Sequence, residues 1–358
     1  MIKAKPYIEK IKPYIAGKSK VASKKVIKLS SNENSLGSSK KAIESYQNAS
    51  NELFRYPDGP SFELKKAIAN KYNIEEEKIT CGAGSDEIIS LLIEAFAGVG
   101  DEIIQSEYGF LMYEISATKF GAKTLKAKDQ NLKTDIDDII NLISDKTKII
   151  FIANPNNPTG SYITKGELDK LIANIPKNII IAMDLAYCEY IDKENYPDIT
   201  QYVKKYDNVI MMRTFSKIHG LAALRLGWCY SSQYIADSLN KVRGPFNVSM
   251  AAQKAGIAAI NDDEFIKKSK KHNQEQLKFV QNSLNQLGVK FYDSFANFIL
   301  IDFGSAEKCQ KINQYLLDNG MIIRDMKSYN LPNCLRMTIG TEYENKEFIN
   351  LLQKNTYL

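Results

Sequence analysis

Histidine, arginine and tryptophan are the scarce residues of this 358-residue chain: two, six and one respectively. With only His219 and His272 present, a histidine-rich metal site is excluded and no metal centre is expected. A Ser-His-Asp triad would have to run through one of those two residues. The five cysteines (Cys81, Cys188, Cys229, Cys309 and Cys334) are an odd number, far apart, with no C-x-x-C pair. That pattern argues against zinc or a disulfide framework and for reduced thiols in a cytosol. No stretch approaches about 18 uninterrupted apolar residues, so no spanning helix is expected. The opening MIKAKPYIEKIKPY carries charges but no apolar core of signal-peptide length, and a cytoplasmic location is the expectation. The net charge of +6, from 48 Lys+Arg against 42 Asp+Glu, is spread along the chain rather than gathered into a nucleic-acid-binding face.

Scarcity makes the arginines informative. Lysine has filled most positions where a bare positive charge suffices. Arg55, Arg213, Arg225, Arg243, Arg324 and Arg336 are therefore candidates for sites needing a planar, bidentate donor. Each could equally serve packing or a salt bridge.

Residues 1 to about 35 read as irregular, rich in Ser, Asn and Gly towards their end. Beyond them, short apolar runs alternate with helical periodicity. KITC, DEIIQS, KTLKA, KIIFIANP, NIIIAMDLAY and NVIMMRTFSK read as strands, several apolar enough to be buried on both faces. ELKKAIANKYN, YEISATKF, DIDDIINLIS and TKGELDKLIANI read as helices, the last with Thr164 as N-cap. This alternation predicts a mostly parallel α/β sheet over roughly 40–240. After RGPFNVS a long amphipathic helix is expected over 249–287, broken near Asn261-Asp262-Asp263. Strands VKFYDS, NFILIDF, MIIRD and CLRMTIG around a helix EKCQKINQYLLDNG then suggest a smaller α+β unit. The expected division is an N-terminal arm (1–35), a large domain (36–245) and a small domain (246–358).

Polar residues recur at strand ends, where an α/β sheet binds ligands. Gly82-Ala83-Gly84-Ser85-Asp86-Glu87 follows a strand and opens a helix, so its amides can approach an anion. It lacks the third glycine of a dinucleotide fingerprint. Asn157 lies in NPNNPTG after KIIFIA, Asp184 ends IIIAM with Tyr187 three residues on, and Thr214-Phe215-Ser216-Lys217 follows NVIMMR, with Arg225 beyond. Any one of these is ordinary turn chemistry. Together they supply an acid, a phenol, an amide, hydroxyls, a lysine, an arginine and a glycine-rich helix start. Pyridoxal 5′-phosphate needs that set: an amine for its aldehyde, a carboxylate for its ring nitrogen, donors for its phenolate and an anion cradle for its phosphate.

The motifs NEN (32–34), RYPDG (55–59), GAGSDE (82–87), NPNNPTG (154–160), DLAY (184–187) and TFSKIHGLAALRLGW (214–228) occur in one order along the chain. SFANF (294–298), IIRD (322–325) and LRMTIGT (335–341) complete the series. In this the chain resembles the fold-type-I, pyridoxal-phosphate-dependent aminotransferases, most closely their histidinol-phosphate branch. The resemblance implies that Lys217 is the Schiff-base lysine and that Asp184 pairs with the ring nitrogen. It implies that Tyr187 and Asn157 hold the phenolate oxygen. Thr214, Ser216, Arg225 and the amides of Gly84, Ser85 and Asp86 would bind the cofactor phosphate. Tyr56 would reach the same phosphate from a second subunit, making a homodimer the functional unit. Phe110 is assigned to stack on the cofactor, with Tyr108 the alternative, because the commoner family pattern has two tyrosines three residues apart. Arg324 and Arg336 would face the substrate, with Tyr14 and Asn32 closing over it.

The resemblance further implies a two-stage cycle through pyridoxamine phosphate. L-Histidinol phosphate would be the donor and 2-oxoglutarate the acceptor, as in histidine biosynthesis. An aromatic amino-acid donor, or a threonine-phosphate decarboxylase-like reaction, stays open at this point. Ser35 stands where the family commonly has Pro, and Leu185 where it commonly has Glu; neither change removes a catalytic group. His219, two residues from Lys217, reads as structural rather than as a base, and Trp228 as core.

Overall fold

The computed structural model describes residues 2–11 and 26–357. Its strands are β1 (Ile27–Leu29), β2 (Ile79–Gly82), β3 (Glu102–Ser106), β4 (Lys123–Ala127), β5 (Asp129–Gln130), β6 (Lys133–Thr134) and β7 (Thr147–Ala153). They continue with β8 (Ile180–Asp184), β9 (Val209–Thr214), β10 (Gly227–Tyr230), β11 (Lys290–Tyr292), β12 (Phe298–Asp302), β13 (Met321–Asp325) and β14 (Cys334–Thr338). The helices are α1 (Lys40–Ala49), α2 (Phe62–Tyr72), α3 (Ser85–Phe96), α4 (Leu111–Phe120), α5 (Ile136–Asn141) and α6 (Lys165–Asn174). After them come α7 (Ile199–Lys205), α8 (Gln233–Val242), α9 (Met250–Ile260), α10 (Asp263–Gln286), α11 (Ala306–Asp318) and α12 (Glu342–Lys354). Among the described residues no helix is long and apolar enough to cross a membrane.

Seven strands form the large sheet in the order β2-β10-β9-β8-β7-β3-β4. Only β10 runs against its neighbours. The period-two alternation of each strand sends successive apolar side chains to opposite faces. Ile150 and Ile152 of β7 join one core with α2, α5, α6, α7 and α9, whereas Ile149 and Phe151 join another with α3, α4 and α8. Burial on both faces explains why these strands read as continuous apolar runs. The fold is therefore the mostly parallel, doubly covered sheet that the sequence predicts. Thr164 caps α6 through a full capping box with Glu167.

A second sheet, β1-β13-β14-β12-β11, has its own core with α10, α11 and α12. Here the structure departs from the expected organisation in two places. Ile27–Leu29, expected to be irregular, is a strand paired parallel to β13 at the edge of this sheet. Helix α9 packs on α1 and α2, and its Ala252, Ala255 and Ala259 belong to the large-sheet core. The change of core thus falls at the break between α9 and α10 rather than at residue 246. Alanines on a helix carry little apolar signal of their own, which is why the sequence does not reveal which sheet α9 covers.

Candidate active site

Because β2, β3, β7, β8 and β9 are parallel, their carboxyl ends lie along one edge of the sheet. The reversed strand β10 brings its amino end, and with it Arg225, to that same edge. A cavity of about 320 Å³ opens there, within the range of small-molecule sites. The segment 30–33, immediately after β1, forms one wall, and Arg324 of β13, Arg336 of β14 and Tyr329 from the turn between them form another.

At the end of β8, Asp184 is buried on the cavity floor. Burial raises its pKa to about 6, opposed by hydrogen bonds from Tyr113 and the Ala186 amide and by the charge of Lys217. Tyr113 Oη donates to Asp184 Oδ2 at 2.7 Å, and the Ala186 amide donates to Oδ1 at 3.2 Å. A buried carboxyl whose charged form is disfavoured by burial calls for a cationic partner.

Lys217 faces the same cavity, three residues past β9, with Nζ donating to the Ser31 carbonyl at 3.3 Å. Burial is the main cause that lowers its pKa to about 8, helped by the positive charges of Arg336 and Arg225. An amine in this state is neutral often enough to act as nucleophile and base near neutral pH. His219 is buried beside it in sequence, its ring tilted against Phe215 at 4.9 Å, with its pKa driven down to about 4 by burial. It does not line the cavity.

The start of α3 forms the anion cradle. Gly84 has φ +87°, and a Cβ there would lie 2.5 Å from Arg225 Nη2. A Cβ on Gly227 would lie 2.4 Å from the Ser85 amide nitrogen. Two glycines therefore allow a helix N-terminus, an arginine and β10 to crowd together. Arg225 donates to Asp86 Oδ2 at 3.1 Å, and the Thr214 hydroxyl accepts from the Ser216 amide at 3.1 Å. Ser85, Asp86, Thr214, Ser216 and Arg225 all line the cavity.

Phe110, at the N-cap of α4, lines the cavity, whereas Tyr108 packs into a separate cluster with Leu300 and Met326. Of the two candidates for the stacking ring, Phe110 is the one on the cavity wall. Tyr187 is buried there too, and its hydroxyl accepts from Asn32 Nδ2 at 2.9 Å. Asn32 is itself buried, its amide donating to the Thr338 hydroxyl at 2.8 Å. Its side chain thus reaches the phenol of Tyr187, a contact that its expected substrate role did not anticipate. Asn157 accepts a hydrogen bond from Arg336 Nη1, and Arg336 Nη2 donates to the Ser30 carbonyl at 3.2 Å. The amide expected at the cofactor and the arginine expected at the substrate are directly linked.

Tyr56 is 81% exposed, stacked on Phe246 with ring centroids 4.7 Å apart, and does not line this chain's cavity. Tyr14 lies outside the described residues. Sequence reasoning missed Tyr113, Tyr329 and Glu33. The first sits one helical turn after Phe110; Tyr329 lines the cavity with no motif signal of its own, and Glu33 lines it from inside the NEN motif, of which only Asn32 was given a role.

The donors present fit pyridoxal 5′-phosphate: a buried carboxyl seeking a cation, a depressed amine, a phenol and amide side by side, and a helix start that excludes any Cβ. Comparison with known proteins agrees. The model of the family described as aminotransferase class I and II matches residues 24–352. The histidinol-phosphate aminotransferase of Maricaulis maris is 43% identical over 345 residues, covering 96% of this chain and 95% of that protein. That of Rhodospirillum centenum is 40% identical over 349 residues, covering 97% and 96%. Among solved structures, histidinol-phosphate aminotransferase from Sinorhizobium meliloti, in complex with pyridoxal 5′-phosphate, shares the fold with a TM-score of 0.91 at 22% identity, over 99% of this chain and 97% of that one. The Clostridium acetobutylicum histidinol-phosphate aminotransferase matches with a TM-score of 0.84 at 27% identity, over 92% and 98%. The chain belongs to the pyridoxal-phosphate-dependent aminotransferases of class I and II, and within them to the histidinol-phosphate aminotransferase family.

Proposed function

We propose that the protein transfers the amino group of L-histidinol phosphate to 2-oxoglutarate, giving imidazole acetol phosphate and glutamate in a cytoplasmic histidine-biosynthetic pathway. The observation that carries the reading is the pair Arg324 and Arg336 facing one cavity with Lys217 and Asp184. That cavity offers an anion clamp beside a reactive amine.

Bound pyridoxal phosphate supplies the electron sink that makes the substrate's Cα–H bond acidic. The protein's residues do the rest. Asp184 would hold the ring nitrogen protonated, and Phe110 would cover one face of the ring. Tyr187 and Asn157 would hold the phenolate oxygen. Arg225, Thr214, Ser216 and the amides of Gly84, Ser85 and Asp86 would fix the phosphate. Lys217, neutral once its proton is lost near pH 8, would take the proton from substrate Cα and return it on the cofactor side. Arg336 and Arg324 would grip the donor's phosphate in one half-reaction and the acceptor's carboxylate in the other.

The functional unit in this reading is a homodimer. Leu53, Phe54, Tyr56, Phe62 and Phe246 are exposed apolar side chains around the Tyr56 segment, a surface suited to a second copy. Tyr56 would then reach the partner's phosphate site, and a monomeric active enzyme in light scattering would count against this.

The test is a donor panel with 2-oxoglutarate: L-histidinol phosphate against phenylalanine, tyrosine and aspartate, with glutamate and CO2 release measured. Preference for the phosphate ester with glutamate formed and no CO2 is expected. Preference for an amino acid would replace the donor, and CO2 release would replace the reaction. Lys217→Ala is expected to abolish turnover and the visible absorbance of the lysine-linked cofactor.

A further inference from the structure

Tyr113 stands one layer behind the cavity on α4, only 1% exposed. Its ring is stacked on Phe151, with centroids 4.7 Å apart and planes at 10°. The edge of Phe110 meets it at 5.8 Å and 87°. These contacts aim its hydroxyl at Asp184 Oδ2, 2.7 Å away. From this geometry we infer that Tyr113 is a positioning residue of the cofactor site: its hydroxyl keeps Asp184 ionised and turned towards the bound ring nitrogen, while its ring fixes Phe110. The inference rests on the proposed pairing of Asp184 with that nitrogen.

The chemistry is asymmetric. Burial and the nearby Asp184 charge hold the Tyr113 phenol well above its ordinary pKa, so it remains a donor throughout the working range. Burial pushes Asp184 towards the neutral acid, and the Tyr113 hydrogen bond leads the effects opposing it. The Ala186 amide donates to the other oxygen, Oδ1, and the remaining groups around Asp184 do not replace this donor. Asp86 on α3 disfavours its charge, and Lys217 favours it without a hydrogen bond. The Tyr187 hydroxyl accepts from Asn32, and the Tyr196 hydroxyl donates to the Asn154 carbonyl at 2.6 Å. A neutral Asp184 could not stabilise a protonated ring, so the hydroxyl of a residue that touches neither cofactor nor substrate sets the pH range of the site. One side chain, three residues past the stacking ring, thereby couples the acid beneath the cofactor to the ring beside it.

The test is Tyr113→Phe, which deletes one oxygen and keeps the stacked ring. Pyridoxal-phosphate affinity of the cofactor-free protein is measured from pH 5.5 to 8.5, in the wild-type and Asp184→Asn backgrounds. Removing a hydrogen bond to a charged group should raise the acid limb of binding by about one pH unit. Affinity at pH 6 should fall roughly five-fold, with a smaller loss at pH 8.5. In the Asp184→Asn background the second substitution should change affinity less than about two-fold. An unmoved acid limb, or equal losses in both backgrounds, would show that Tyr113 merely packs and would overturn the inference alone. Asp184→Asn with wild-type affinity and turnover would overturn the placement of Asp184 and this inference together.

Discussion

Arg324 and Arg336 are direct cross-strand partners on β13 and β14, and both line the cavity. Like charges placed opposite one another on a sheet repel, so this pairing favours a site that receives an anion. A chain that uses lysine for most of its positive charges has kept arginine at both positions.

The first prediction follows from that geometry. Arg324→Lys and Arg336→Lys keep the charge but lose the planar fork. Each should lower kcat/KM for the phosphorylated donor by about 10- to 100-fold, mainly through KM, which corresponds to roughly 1.4–2.7 kcal/mol. Arg336→Lys should also lower kcat, because its guanidinium holds Asn157. Steady-state kinetics with unchanged KM in both variants would remove these arginines from substrate binding.

Lys217 gives a prediction that needs no turnover. Its pKa falls from 10.5 in the unfolded chain to about 8 when folded. Between those values the unfolded chain binds a proton that the folded one has released, so this group makes stability rise with pH across that window. Below about pH 8 both states are protonated and the full cost of burying the charge is present. Lys217→Met in the cofactor-free protein should therefore raise Tm most at pH 7, with the gain shrinking as pH approaches 10.5. Calorimetry of both proteins across this range checks it; a gain that does not change with pH would contradict the buried, depressed amine.

The large sheet was legible because its strands are apolar on both faces, and the strand-end residues were legible because parallel strands put them on one edge. Lys217, Asp184, Tyr187, Asn157 and Arg225 meet in the cavity as the motif order implied. What the sequence hid are contacts between segments far apart in the chain. β1 is three residues whose partner lies near residue 322, and no local periodicity can announce such a pairing. Tyr113 resembles any helix-face tyrosine until the fold brings it to Asp184. Asn32 sits in a conspicuous motif, yet its partner Tyr187 is 155 residues away.

Gly84 should tolerate no side chain. Its φ of +87° is strained for an L-residue, and the added Cβ would meet the Arg225 guanidinium. Gly84→Ala should lower stability by about 1–3 kcal/mol and weaken pyridoxal-phosphate binding at least ten-fold by displacing Arg225. Cofactor titration and thermal unfolding of the same preparation separate the two effects. Normal affinity in a destabilised variant would mean that Arg225 does not need its present position.

Asn32 combines two demands that two substitutions can separate. Its backbone is left-handed, φ +54°, and its side-chain amide donates to the Tyr187 hydroxyl. Glycine accepts the backbone but removes the donor, while alanine removes the donor and adds strain of about 1 kcal/mol. Both variants leave a buried phenol without that partner, costing roughly 1–3 kcal/mol where Tyr187 must be held in place. Turnover should fall about ten-fold in Asn32→Gly and Asn32→Ala alike, whereas Tm should be lower in the alanine variant. If Asn32→Gly turns over at the wild-type rate, the Asn32–Tyr187 hydrogen bond has no part in the reaction, and the asparagine is there only to make the turn.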